Sequence, residues 1–113
     1  MKVDVYRNLH KDCWSIRHQG KVIAHTDTVV LTFVKFVVQP AGRIRTIKER
    51  RKNVHAFVRG LWEPQLVFPL LNQQFKEVKY NPYINSTFVD LDGNSIYEAK
   101  TAVLCNRKCF VII

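Results

Sequence analysis

Apolar and polar residues alternate with a period of two through most of the chain, which is the signature of half-buried strands. "KVDVYRNL" (2–9) predicts a first strand, and "CWSIR" (13–17) a second, with Trp14 and Ile16 on one face. "HQGK" around Gly20 predicts a tight turn, and "KVIAHTDTV" (21–29) the strand that returns from it. "VVLTFVKFVVQ" (29–39) is almost continuously apolar, with Lys35 as the one residue expected to point outward. Such a run predicts a central strand buried on both faces. Further along, "VHAFVRGLW" (54–62) puts Val54, Ala56 and Val58 on one face and His55, Phe57, Arg59 and Leu61 on the other. "FKEVKY" (75–80) predicts a strand stopped by the "NPY" turn. "TFVDLDGNSIYEA" (87–99) predicts a hairpin, since Asp92-Gly93 suits a type I′ turn, and "AVLC" to "CFVII" predicts another that turns at "NRK".

One stretch breaks the alternation. After Pro40, which ends the central strand, the only large apolar residues up to Lys52 are Ile44 and Ile47. Their i to i+3 spacing predicts a narrow apolar stripe on a short helix over about 41–52, with Asn53 as its terminator. The proline-containing segment "EPQLVFPLLN" (63–72) reads as a loop that packs onto the core. The expected class is therefore α+β: mainly antiparallel hairpins and meanders with one short basic helix, in a single domain spanning 1–113.

Composition adds a partner class. The 113 residues are 47% hydrophobic and 24% charged, a globular balance that excludes a disordered chain. The formal net charge is +9 and the pI about 9.8. An excess of this size favours nucleic acid or an acidic protein surface as partner. The segment "MKVDVYRNLHKDCW" has no apolar stretch of the signal-peptide kind, and no run approaches the length of a membrane-spanning helix. With three cysteines, an odd number, free thiols in a reducing compartment are expected.

The charge is concentrated. Between positions 43 and 59 stand Arg43, Arg45, Lys48, Arg50, Arg51, Lys52 and Arg59 against the single acid Glu49, a local excess of +6 out of +9. Like charges crowded into one or two helical turns repel by a few tenths of a kcal/mol per i,i+4 pair, and an anionic partner would relieve that repulsion. These seven cations are the candidate binding residues. The bland alternative is a solvated face that only confers solubility. Trp14, Phe57, Tyr80 and Tyr83 are conceivable base-stacking aromatics, although in so small a domain most aromatics belong to the core.

Catalysis and metal binding are weaker readings. His55 and Arg59, with a nearby tyrosine, suit a metal-independent ribonuclease in which histidine transfers a proton and cations stabilise the transition state. No spacing supplies the second proton-transfer group, because His10, His18 and His25 are scattered, so the balance favours a non-enzyme. His10 with Cys13, and Cys105 with Cys109, add up to four zinc-ligand types, but in no standard spacing and among apolar neighbours. No cofactor or metal is expected. The four glycines are isolated, which leaves no phosphate-cradling loop.

On "VYRNLHKDCWSIRHQGKVIAHTDTVVL", "AGRIRTIKERRKNVHAFVRG" and "YNPYINSTF" the chain resembles small accessory proteins carried by bacteriophages and other mobile elements. That group has no assigned activity, so the resemblance transfers no catalytic or binding residue. It implies a compact accessory protein in the cytoplasm of a bacterial host, of a kind that often acts by binding, including as inhibitors of host defence such as anti-CRISPR proteins. The expected function is a non-enzymatic binding protein that interferes with a host nucleic-acid-handling complex through the basic segment and the strand after it. A ribonuclease-like toxin using His55 and Arg59, and a structural or assembly protein of a phage particle, are the alternatives.

Overall fold

The computed structural model describes residues 1–8, 10–40, 54–63, 74–81 and 87–113. These residues form one antiparallel sheet of ten strands: β1 (Lys2–Asn8), β2 (Cys13–His18), β3 (Lys21–Thr26), β4 (Thr28–Pro40), β5 (Val54–Leu61), β6 (Lys76–Asn81), β7 (Thr87–Asp90), β8 (Ser95–Ile96), β9 (Glu98–Cys105) and β10 (Lys108–Ile112). Their order across the sheet is β3-β2-β1-β5-β4-β9-β10-β6-β7-β8.

The α+β expectation is corrected by this architecture. Among the described residues there is no helix, and every pairing is antiparallel, so the fold is all-β. The span read as a helix, about 41–52, lies outside the described residues. Two isoleucines could not have set the class in any case. A fold class follows from what buries the core, and here the core is built of strand side chains: Val5, Ile16, Leu31, Ala102, Leu104 and Val111 are completely buried.

The sheet cannot be flat. β4 and β7 are four places apart in the strand order, a separation of about 19 Å at the usual spacing of neighbouring strands. Yet the rings of Phe36 on β4 and Phe88 on β7 lie 4.7 Å apart, and Tyr80 on β6 stacks against Phe88 at 5.3 Å. The β6–β8 end therefore curls back over β4 and closes one apolar cluster, running from Val3, Val5 and Ile16 through Leu31, Phe36 and Leu104 to Val78, Phe88 and Ile96.

The turns follow their residues. Gln19 and Gly20, with φ of 51° and 80°, link β2 to β3 in the doubly left-handed backbone of a type I′ turn. The link from β7 to β8 departs from the type I′ expectation at Asp92-Gly93, because only Gly93 is left-handed (φ 87°). Asp90 instead organises a three-residue loop. Its backbone N–H donates to the Asn94 carbonyl, and its Oδ1 accepts from the N–H groups of Asp92 and Asn94 at 3.0 and 2.8 Å.

At the strand ends opposite the β2–β3 turn, Arg7 ties two turns together. Its Nη1 donates to the Asn106 carbonyl between β9 and β10, and its Nη2 to Asp12 Oδ1 at 2.7 Å in the turn between β1 and β2. Arg107 adds a second contact to Asp12 at 3.3 Å, and the Arg7 guanidinium lies 5.2 Å from the Trp14 ring. The hydrogen bonds from Arg7 and then Arg107 hold the Asp12 carboxyl below its ordinary value.

The central strand carries the main irregularity. Thr32 faces Leu61 and Lys35 faces Arg59, so Phe33 and Val34 together oppose the single residue Gly60. This β-bulge puts Phe33 in left-handed backbone, φ 53°, and shifts the phase of β4 by one residue. Val29 and Leu31 are buried before it, Val34 and Phe36 after it. Phe33 is thrown outward and is 76% exposed, a correction to the expectation that Lys35 alone would leave this strand. Gly60 makes the bulge possible: a Cβ there would lie 2.9 Å from the Thr32 carbonyl oxygen and 3.1 Å from Leu31 Cβ.

Two outcomes follow from these contacts. Gly60→Ala should destabilise the protein by about 1–3 kcal/mol, the usual range for an overpacked site, measured as a lower urea midpoint. An unchanged midpoint would mean that the bulge yields freely. For Asp12, a carboxyl depressed in the folded state adds stability above its unfolded value, near 3.8, and that stability is lost as pH falls below it. The decline of the urea midpoint in acid should therefore be shallower in Asp12→Asn than in the parent.

Candidate functional site

Beside the bulge, the ends of β1, β2 and β5 enclose an open groove of about 660 Å³. Its apolar side is formed by Val3, Leu61 and Phe33, with Gly60 between them contributing no side chain. Its polar side brings together Lys2, Arg17, Lys35 and Arg59 with one carboxylate, Asp4, for a net charge of +3. His18 and Gln19 complete the rim.

Strand register explains the cluster. Asp4 faces Arg17 on β2 and Arg59 on β5, and Arg59 faces Lys35 on β4, so one row across four strands reads Arg, Asp, Arg, Lys. Asp4 accepts from Arg59 Nε at 2.8 Å and lies 3.8 Å from Arg17. A single negative charge is thus shared by two guanidinium groups. Arg17 is also held by the rings beneath it, 4.6 Å from Phe57 and 5.9 Å from Tyr6. Cation–π contact of this kind fixes the plane of the guanidinium while leaving its charge unneutralised. Among the described residues Lys35 makes an exposed 3.9 Å pair with Glu98, a type of contact worth little in water.

Of the seven predicted cations, Arg59 is placed here, paired with Asp4. Arg43, Arg45, Lys48, Arg50, Arg51 and Lys52 lie outside the described residues. The strands that flank them are defined, and Pro40 pairs with Val54, so the basic segment leaves and rejoins the sheet at the end of the β4–β5 ribbon. His55 stands opposite Gln39 in that ribbon, and its side chain is outside the described part. Two other histidines are engaged structurally. His18 Nδ1 meets the Lys2 carbonyl at 2.9 Å, and His25 Nδ1 meets the fully buried Ser15 hydroxyl at 2.8 Å.

The cysteines are not arranged as ligands. Cys13 and Cys109 are buried, and Cys105 accepts a weak hydrogen bond from Thr28 Oγ1 at 3.7 Å. Among the described residues no three His, Cys, Asp or Glu side chains gather in a geometry that could hold a metal ion. No described helix is long and apolar enough to cross a membrane.

Lys2, Arg17, Lys35 and Phe33 were missed by reasoning from the sequence, because they come together only through cross-strand pairing. Phe33 left one trace. Lys35 stands at the same parity as Val29 and Leu31, so strict alternation would bury a lysine, and a slip of one residue between them removes the conflict.

Fold and groove together define a small all-β protein with a cationic cleft. The chain matches the family described as Mycobacterium phage L5 gene 82 protein over residues 1–112, and it belongs to that family. It is 40% identical over 102 residues to the "Gene 82 protein" of Mycobacterium phage L5, with 79% of this chain and 77% of that protein covered. No solved structure matches it. The phage resemblance seen in the sequence is thereby established, and the protein is a phage accessory protein.

Burial pushes the Cys109 thiol up to about 12. In native protein at pH 8, alkylation followed by peptide mapping should find Cys109 unmodified while the half-buried Cys105 reacts, and unfolding in urea should expose Cys109. Equal labelling of both before unfolding would contradict this packing.

Proposed function

We propose that this phage protein acts by binding, without catalysis, and that its partner is anionic: nucleic acid, or an acidic surface of a host protein–nucleic acid complex. The supporting observation is electrostatic. Of the +9 net charge, +6 lies between residues 43 and 59, and the groove at the opposite end of the β4–β5 ribbon from that segment holds four cations, Arg59 among them, to one carboxylate. Such a field raises the rate of encounter with polyanions and gives affinity through release of their counterions. Phage family membership and this charge fit interference with a nucleic-acid-handling or defence complex in the host cytoplasm, the mode of action of anti-CRISPR inhibitors.

The reading is tested by charge reversal. Arg50→Glu with Arg51→Glu should weaken binding to a labelled oligonucleotide at least tenfold at low salt, with an unchanged melting temperature. For the parent protein, log K against log salt should fall with a slope of about −0.9 for each duplex phosphate neutralised. Binding that ignores both salt and charge reversal would reduce the basic segment to a solvated face.

A further inference from the structure

Among the described residues, no packing contact calls for a phenylalanine at position 33. Left-handed backbone is costly for a bulky residue and free for glycine, so its φ of 53° would be better served by glycine. Its 76% exposure would be better served by a polar side chain. An aromatic ring held in strained backbone and pointed at solvent is the kind of outlier from which function is reasonably inferred. The surroundings bear on the chemistry of a ligand. The ring borders a groove shared with Lys2, Arg17, Lys35 and Arg59, and Arg17 is kept in place by Phe57 and Tyr6.

A planar apolar ring beside several cations matches a ligand that alternates planar bases with phosphates. Duplex nucleic acid shows its phosphates but keeps its base faces stacked inside, where Phe33 has nothing to meet. A single strand offers both. An acidic protein surface would satisfy the cations but does not set planar faces between anions at a regular spacing, as a single strand does. We infer that the groove at the β4 bulge binds single-stranded nucleic acid, with Phe33 stacking one base and Lys35, Arg59, Lys2 and Arg17 contacting the flanking phosphates. This rests on the anionic-partner reading above and makes it specific.

The experiment is fluorescence anisotropy with labelled 12-mers of dT and rU and with a 12-base-pair duplex, at fixed low salt. Phe33→Ala should weaken binding to one or both single strands by about 5- to 150-fold, corresponding to the 1–3 kcal/mol usual for one stacked base, and leave duplex affinity unchanged. Phe33→Trp should restore single-strand binding. Phe33→Gly separates stacking from folding: it removes the ring and the backbone strain together, so it should bind as weakly as Phe33→Ala while melting no lower than the parent. Equal loss with dT and rU means that the base faces are read, and loss confined to one means that the 2′-hydroxyl or the thymine methyl is read as well. If the Phe33 variants bind single strands like the parent, or lose single strand and duplex equally, the inference is overturned while charge-dependent binding of nucleic acid stands. If the parent binds none of the three probes, the inference is likewise overturned, and the anionic-partner reading then survives only for an acidic protein.

Discussion

The ladder between β4 and β5 has to fit two residues against one, and the shape of the protein depends on how that mismatch is absorbed. With Phe33 and Val34 both set against Gly60, the strand changes phase inside its most buried stretch. Val29 and Leu31 serve the core before the slip, Val34 and Phe36 after it, and Lys35 is left in water. The same slip turns Phe36 toward the β6–β8 end, where Phe88 meets it. Without it, regular alternation would set a lysine on the face of Leu31 and leave the curled half of the sheet without that aromatic contact. Burying an unpaired ammonium costs far more than the strain of one left-handed phenylalanine. The bulge is the cheaper conformation, and the Phe33 it turns outward lines the groove.

The electrostatics of that groove come from register. Lys2, Asp4, Arg17, Lys35 and Arg59 belong to four strands, and antiparallel pairing brings them together at the end of the sheet. Asp4 orients Arg59 and draws Arg17 near, but one carboxylate cannot neutralise two guanidinium groups and two lysines. Its role is better described as positioning. An arginine whose Nε is held by a carboxylate still presents its terminal nitrogens outward, and a guanidinium lying over two aromatic rings has lost rotational freedom before any ligand arrives. Preorganisation of this kind reduces the entropy lost on binding.

Strands were legible in the sequence because alternation is a local property. The runs at 2–9, 13–17, 21–29, 29–39, 54–62 and 75–80 each overlap an observed strand, although 21–29 is divided at Asp27 between β3 and β4, and the turn around Gly20 lies where the residues put it. Strand order was not legible. β5 inserts between β1 and β4, and β9 pairs with β4 from the far half of the chain, because cross-strand complementarity over long separations leaves no local trace. The class was misjudged for a related reason: two isoleucines at helical spacing were given a weight that only a buried surface can confer. The excess of positive charge was visible as a count, and Arg59, which lines the groove, was among the residues singled out. Its companions were not, since nothing in the order of residues says that Lys2, Arg17 and Lys35 end up beside it.

The geometry of the β4–β5 ribbon bears on the size of the ligand. The groove sits at the Lys35–Arg59 pair, and the basic segment departs from the Pro40–Val54 pair, five residues further along the same ladder. At the rise of an extended strand that separation is about 17 Å. A nucleotide or a single phosphate occupying one of these places would leave the other empty. An extended polyanion could follow the ribbon from one to the other, and the repulsion among six cations at 43–52 and the net +3 of the groove would be relieved by the same molecule. Two weak sites linked by a stiff ribbon bind a polymer more tightly than either binds alone, because the second contact is made at high effective concentration. On the anionic-partner reading proposed above, this separation favours an extended polyanion over a single nucleotide.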